Sequence, residues 1–293
     1  MGSLAAKKFD EAASQTCSLL SAQLLALPEY IRSAAYEIRI RAGKPLSLSL
    51  PSGMYMPDAA KPVNRAELND TFVKMCGSAI YSHQNEIASG CITLRGGHRV
   101  GICGRAVKEN GRVINIADIS SLCVRIAHEV SRCAAGIIPL ANEGGIIIAG
   151  PPCSGKTTLL RDLALTLSDE RNTVIIDERG EIAASYDGIP QLRTGCFCDV
   201  VAGFGKAEGM IHALRTLSPQ VMICDEIGTS EEAEAVGEAF NSGVTVAVTM
   251  HCGSFEELSR RSQYRTLVRT GAFRNIVMLE KGTPGTIGKI EKI

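Results

Sequence analysis

The chain has 293 residues, a length typical of about two domains, and its 45% hydrophobic content is enough for folded cores and too high for a disordered chain. Its 31 basic and 31 acidic residues cancel, and aromatic residues make up 4% with no tryptophan, so composition gives no indication of a nucleic-acid-binding protein. The 11 cysteines are odd in number, and several lie within apolar runs, which is typical of small buried hydrophobic residues in a reducing cytosol.

The first predicted element is an amphipathic helix near the start of the chain. Apolar residues recur at helical spacing from Phe9 to Leu27, and Pro28 ends the pattern. Acidic and amide side chains interrupt this stretch, which favours an amphipathic helix over a secretory signal peptide. No apolar run reaches the ~20 residues that cross a bilayer, so we expect a cytoplasmic protein.

The rest of the first half combines short alternating segments with one clear helix. Alternation predicts strands, and glycine-containing turns between them predict hairpins. Residues 69–81 carry apolar side chains on one helical face. The predicted strands cover 36–41, 44–50, 90–95, 99–105 and 121–126. We therefore expect a small α+β domain of four to six strands over residues 1–134.

The second half, residues 135–293, has a different pattern. Near-continuous apolar runs alternate with helical stretches, which is typical of a parallel sheet with both faces buried. The predicted strands are 145–149, 173–176, 220–224 and 244–249, and the predicted helices are 156–167, 207–217 and 231–241. We expect an α/β fold with a RecA-like core.

A phosphate-binding loop follows the first of these strands. Residues 150–157 match the pattern G-x-x-x-x-G-K-[ST] at every fixed position and lie between an apolar strand and a helix. Backbone N–H groups and the helix dipole would bind the phosphates of ATP, Lys156 would reach the β- and γ-phosphates, and the Thr157 hydroxyl would bind Mg²⁺. The predicted nucleotide-binding residues here are Gly150, Pro151, Pro152, Cys153, Ser154, Gly155, Lys156, Thr157 and Thr158.

Acidic residues follow two other predicted strands. Asp225 and Glu226 end the strand at 220–224, where Asp225 would hold Mg²⁺ and Glu226 would orient or deprotonate the attacking water. Asp177 and Glu178 end the strand at 173–176 and are further catalytic candidates, because parallel strands present their C-terminal ends at one edge. His251 follows a fourth strand at the same edge and is placed to hydrogen-bond a γ-phosphate.

These motifs resemble those of the type II and type IV secretion-superfamily ATPases, and more closely those of the stage III sporulation protein AA family of endospore-forming bacteria. In the second half the resemblance lies in the loop, the acidic box at 177–181, the segment 214–227 and the histidine box at 239–251. In the first half it lies in the segments 37–45 and 95–101. Asp225 stands where secretion ATPases usually carry glycine, and the order Asp-Glu replaces their Glu-Asp, so which carboxylate polarises the water stays open.

The resemblance implies an ATP hydrolase that assembles as a homo-oligomeric ring, usually a hexamer. Such a ring would drive a membrane-embedded sporulation export or channel complex, with the protein cytoplasmic and peripheral to the membrane. It also implies that the N-terminal domain supplies arginines to the nucleotide, for which Arg99 and Arg125 are the candidates.

Other functions share parts of this pattern. A nucleotide-dependent assembly scaffold with little turnover would carry the same binding residues. A nucleic-acid-dependent motor would share the core, although the balanced charge argues against a nucleic-acid partner. A small-molecule kinase would need an arginine-rich lid, and no such segment is visible in the sequence.

Overall fold

The structure is a computed structural model that describes residues 3–58, 61–77, 79–128, 130, 132–282 and 284–293. It divides into two compact units, residues 1–128 and 129–293. The boundary predicted between residues 134 and 135 stays a prediction. Ser131, at the predicted join, and Ser78, inside the helix predicted over 69–81, lie outside the described residues.

In its described residues, the first unit is an antiparallel sheet with helices. The strands occur in the order β3-β2-β1-β6-β5-β4. They are β1 (Glu37–Arg41), β2 (Ser47–Leu50), β3 (Gly53–Tyr55), β4 (Cys91–Thr93), β5 (Arg99–Glu109) and β6 (Arg112–Arg125). The helices are α1 (Leu4–Ser14), α2 (Ser18–Leu25), α3 (Glu29–Ala34), α4 (Arg65–Met75) and α5 (Gln84–Ser89), and a 3₁₀ turn covers Ile80–His83.

Two helical expectations differ from the structure in this unit. The single N-terminal helix is two helices, because Thr16 turns its hydroxyl back onto the Ala13 carbonyl and the Cys17 N–H donates to the Thr71 hydroxyl. The helix expected over 69–81 begins earlier, at Arg65, because Asn64 and Glu67 form a capping box. Both hairpins form as predicted, with Ile38 opposite Leu48 and Cys91 opposite Gly101.

The second unit is a mostly parallel sheet flanked by helices. Within its described part the strand order is β13-β12-β7-β11-β10-β8-β9, and β13 alone runs antiparallel to its neighbour. The strands are β7 (Gly145–Gly150), β8 (Thr173–Asp177), β9 (Cys198–Ala202), β10 (Val221–Cys224), β11 (Thr245–His251), β12 (Phe273–Leu279) and β13 (Ile287–Lys292). The helices are α6 (Ile138–Glu143), α7 (Lys156–Leu167), α8 (Lys206–Thr216), α9 (Ser230–Asn241), α10 (Phe255–Arg260) and α11 (Ser262–Arg269).

The parallel register explains why polar residues collect at one edge of this sheet. Strands β7, β8, β10 and β11 are almost entirely buried, so their apolar side chains fill cores on both faces. Cys224 pairs with Ile176 on one side and with Val248 on the other, so the residues that follow them emerge side by side. None of the helices in the described ranges is long and apolar enough to cross a membrane.

Candidate functional site

The phosphate-loop sequence forms a tight turn between β7 and α7. Gly155 caps the N-terminus of α7 with φ +90, and a Cβ there would lie 2.6 Å from the Gly285 nitrogen, so both conformation and space require glycine. No side chain caps this helix end, and the buried Ser154 hydroxyl has no hydrogen-bond partner within the described part of the chain. The loop therefore offers polar hydrogens at a helix N-terminus, which is where anions bind.

Lys156 turns its side chain back across this loop. Its Nζ donates to the carbonyl oxygens of Gly150 (3.0 Å) and Pro151 (2.7 Å). Burial lowers the pKa of the Lys156 ammonium, while the carboxylates of Asp225 and Glu226 act in the opposite direction. The lysine charge thus lies between the loop and the acidic strand end.

Asp225 connects the loop to the neighbouring strands. Its Oδ2 accepts a hydrogen bond of 2.7 Å from the Thr157 hydroxyl, and its Oδ1 accepts one from the Thr249 hydroxyl. The predicted metal-binding pair, Thr157 and Asp225, is therefore in direct contact. A hydroxyl and a carboxylate are hard oxygen donors of the kind that Mg²⁺ prefers, with phosphate oxygens and water supplying the remaining ligands.

This donor set is small, which fits a metal carried in with phosphates. Among the described residues no group of three or more His, Cys, Asp or Glu side chains is arranged to hold a metal ion. Mg²⁺ commonly binds through one or two protein oxygens plus substrate phosphates. The pair found here matches that pattern and does not match a dedicated protein cage.

Glu226 has an unusual backbone conformation, with φ +52 in the left-handed region. Residues other than glycine rarely adopt it, at a cost on the order of 1 kcal/mol or more. Two hydrogen bonds hold it: the Glu226 N–H donates to the Thr249 hydroxyl (2.8 Å), and Lys206 Nζ donates to the Glu226 carbonyl (2.6 Å). The Glu226 side chain is exposed beside the cleft.

The cleft beside Glu226 is lined mainly by acidic side chains at the ends of two strands, β8 and β10. Glu178 lies there, partly exposed, with its Oε2 4.0 Å from Lys206 Nζ. The structure thus brings the candidates Glu178 and Glu226 to one cleft. The residues that line it are Ile176, Asp177, Glu178, Arg179, Glu181, Lys206, Asp225 and Glu226.

Asp177, which we expected as a catalytic candidate, has its carboxylate turned into the protein. The residue is 3% exposed, and its two oxygens accept hydrogen bonds from four successive backbone N–H groups. The donors are Glu181 (2.8 Å), Ile182 (3.1 Å), Ala183 (2.8 Å) and Ala184 (3.3 Å). A carboxylate with its acceptor positions used in this way folds the loop that follows β8.

The remaining predicted residues fall into two groups. His251 ends β11 and pairs in register with Gly150, so it lies beside the first residue of the phosphate loop. Arg99 and Arg125 belong to the first unit, where they are direct partners on β5 and β6. Arg125 Nε lies 3.7 Å from a Glu37 oxygen.

Sequence reasoning missed two residues of this site. Thr249 is fully buried and contacts both Asp225 and the Glu226 backbone, and a hydroxyl at the end of an apolar strand was the available signal. Lys206 is the first residue of α8, and its signal was a basic residue at a helix N-terminus, where the helix dipole disfavours positive charge.

Comparisons with known proteins agree with this architecture. The family model described as sporulation stage III, protein AA, matches residues 12–292. Stage III sporulation protein AA of Bacillus subtilis (strain 168) is 37% identical over 274 residues, which cover 90% of this chain and 89% of that protein.

Two solved structures share the fold. The pilus retraction motor PilT, solved with bound ADP, superposes with a TM-score of 0.61 at 17% identity, covering 85% of this chain and 76% of that chain. The Legionella pneumophila ATPase DotB gives a TM-score of 0.57 at 19% identity, covering 84% and 72%. The predicted fold class, a P-loop ATPase core with an additional N-terminal domain, is confirmed.

Proposed function

Because the chain belongs to the sporulation stage III protein AA family, we propose that it is an ATPase whose hydrolysis of ATP drives a membrane-associated sporulation complex. The observation that carries the proposal is the contact of the phosphate loop with the acidic strand end, through the 2.7 Å hydrogen bond from Thr157 to Asp225. This contact brings phosphate-binding donors, a magnesium-binding pair and a candidate base to one edge of the sheet.

The proposed chemistry follows from that arrangement. The N–H groups at the start of α7 and the Lys156 ammonium bind the β- and γ-phosphates of ATP. Thr157 and Asp225 would hold Mg²⁺, which would supply positive charge to the phosphate oxygens. The Glu226 carboxylate takes a proton from a water molecule while the oxygen of that water bonds to the γ-phosphorus. The bond between the γ-phosphorus and the oxygen that bridges to the β-phosphate breaks, which releases ADP and phosphate.

The roles of the neighbouring acidic residues differ in this proposal. Glu178 is the second candidate to position the water, because its carboxylate is accessible from the same cleft. Asp177 shapes the loop after β8 and does not touch the water. His251 pairs in register with Gly150, which supports the proposal that it hydrogen-bonds the γ-phosphate.

The assembly is proposed on the same basis. We propose a cytoplasmic homo-oligomeric ring, a hexamer, peripheral to membrane-embedded channel proteins. Arg99 and Arg125 are proposed to reach a nucleotide bound by a neighbouring subunit. The similarity in fold to the pilus retraction motor PilT supports a motor function.

Two variants test the enzymatic proposal. Lys156→Ala should abolish ATP binding measured by calorimetry, with unchanged folding by circular dichroism. Glu226→Gln should bind ATP normally and hydrolyse it about 10²–10⁴-fold more slowly, because its amide keeps the shape and cannot accept the proton. Equal affinity of Lys156→Ala and wild type would refute the nucleotide site, and tight binding by a wild type that does not turn over would favour the scaffold function.

A further inference from the structure

We infer that Lys206 is a positioning residue that sets the direction in which the Glu226 side chain leaves the backbone. The inference rests on the proposed ATPase function and adds to it a residue outside the sequence motifs. It begins from the position of Lys206, the first residue of α8, where a positive charge opposes the helix dipole. A lysine at this position does not stabilise the helix, so its role lies in the contacts that its side chain makes.

Lys206 lies among acidic side chains. Its side chain is 10% exposed, and its Nζ lies 4.0 Å from Glu178 Oε2 and 4.0 Å from Glu232 Oε1. A buried ammonium is stable only when paired and hydrogen-bonded. Lys206 Nζ is therefore close to two carboxylates, and it donates a hydrogen bond of 2.6 Å to the Glu226 carbonyl.

That hydrogen bond matters because of the conformation of Glu226. A non-glycine residue at φ +52 persists only when its neighbours hold it in place. The Thr249 hydroxyl accepts from the Glu226 N–H, and Lys206 donates to its carbonyl, so both polar groups of the strained residue are fixed. The direction of the Cα–Cβ bond follows from these two contacts.

The same contacts link Glu226 to the metal-binding pair. Thr249 also donates to Asp225, which accepts from Thr157, so a continuous chain of hydrogen bonds runs from the phosphate loop to Lys206. Lys206 is the terminal anchor of this chain on the side away from the loop. Without it, the Glu226 carbonyl loses its donor, and the carboxylate loses its fixed distance from the Asp225–Thr157 pair.

Kinetics separate positioning from binding. Lys206→Met keeps an unbranched side chain one atom shorter than lysine and removes its charge and its hydrogen-bond donor. We expect its kcat for ATP hydrolysis to fall about 10–100-fold, as is typical when a catalytic group is displaced by about 1 Å. The Kd for ATP should stay within about threefold of wild type, because the contacts of Lys206 among the described residues are with Glu178, Glu226 and Glu232, outside the phosphate loop. Lys206→Arg, which keeps charge and donors, should recover most of the lost kcat.

Two controls define the result. Lys289→Met, on an exposed lysine of β13 in the same unit, should leave kcat unchanged. In a Glu226→Gln background, Lys206→Met should change kcat by no more than about threefold, because Lys206 acts through Glu226 and the effects of coupled residues do not add.

Each possible outcome either supports or overturns the inference. A Lys206→Met enzyme with wild-type kcat overturns the inference, and so does an additive effect on top of Glu226→Gln. A variant that loses thermal stability and ATP affinity together, without recovery by arginine, shows a structural role only. If wild type itself binds but does not hydrolyse ATP, the proposed function fails first, and the inference about Glu226 fails with it.

Discussion

Replacing Asp177 by asparagine should destabilise the second unit more than it impairs nucleotide binding. The carboxylate accepts four backbone N–H groups, at 2.8 and 3.1 Å on Oδ1 and at 2.8 and 3.3 Å on Oδ2. An asparagine retains one oxygen, and its amide NH₂ would face the other two donors. Each buried N–H left without a partner costs about 1–3 kcal/mol, so Asp177→Asn should cost about 2–6 kcal/mol.

Differential scanning calorimetry of the full chain measures this effect. The transition of the second unit is the one that ATP and Mg²⁺ shift to higher temperature. In a unit of about this size 1 kcal/mol shifts Tm by about 2–4 °C, so a cost of about 3 kcal/mol should lower the Tm of this transition by about 6–12 °C. Glu178→Gln, next in the chain and partly exposed, is the matched control and should move this transition by less than about 2 °C.

The two variants also separate structure from catalysis. A folded fraction of Asp177→Asn should still bind ATP, because the phosphate loop lies on a different strand connection. If Asp177→Asn melts within about 1 °C of wild type and hydrolyses ATP as slowly as Glu226→Gln, Asp177 acts on the water, and the reasoning from its hydrogen bonds is refuted.

Two further predictions concern assembly and pH. If Arg99 and Arg125 complete a neighbouring subunit's site, the specific ATPase activity should rise with protein concentration. Mixing wild type with Arg99→Ala subunits should lower this activity more than dilution does. A specific activity that stays constant over a hundredfold range of concentration, in a protein that sediments as a monomer, would contradict this. Burial, with the charges of Lys8 and His128, lowers the pKa of His98 to about 4, below the ~6.5 of an unfolded chain. The unfolded state then binds more protons between these values, so up to about 3 kcal/mol of unfolding free energy is present above pH 6.5 and is lost as the pH falls towards 4. Denaturant titrations at several pH values should show that the unfolding free energy of His98→Asn falls less steeply between pH 6.5 and 4 than that of wild type. An equal slope in the two proteins would show that other groups cause the acid sensitivity.

The sequence predicted the parts of the fold that rest on local pattern. Continuous apolar runs identified β7, β8, β10 and β11, because strands buried on both faces carry little else. Strand β13 was not predicted from the sequence because three of its six residues are charged. The strand lies at a sheet edge, where pairing with β12 decides the structure.

The candidate site follows the same division. The proximity of the loop to Asp225 could be predicted, because both the motif and the alignment of the parallel strands are readable from the sequence. The functions of Asp177 and Lys206 were not readable, because they depend on contacts. Asp177 bonds a loop that passes through a left-handed Ala184, and Lys206 reaches a carbonyl 20 positions away in the chain. The Lys206 contact requires α8 to be packed beside the end of β10.

The position of β7 in the sheet has a consequence for the nascent chain. Its neighbours are β11 and β12, both of which follow it in sequence, and Gly150 pairs with His251. During synthesis the run Gly145–Gly150, fully apolar and buried in the finished protein, therefore emerges with both edges open until roughly a hundred more residues have been made. Unpaired apolar strands are sites of aggregation. Cells that overproduce this protein should therefore need more chaperone when the synthesis of β11 follows that of β7 more slowly. Slowing translation between these two strands should lower the soluble yield.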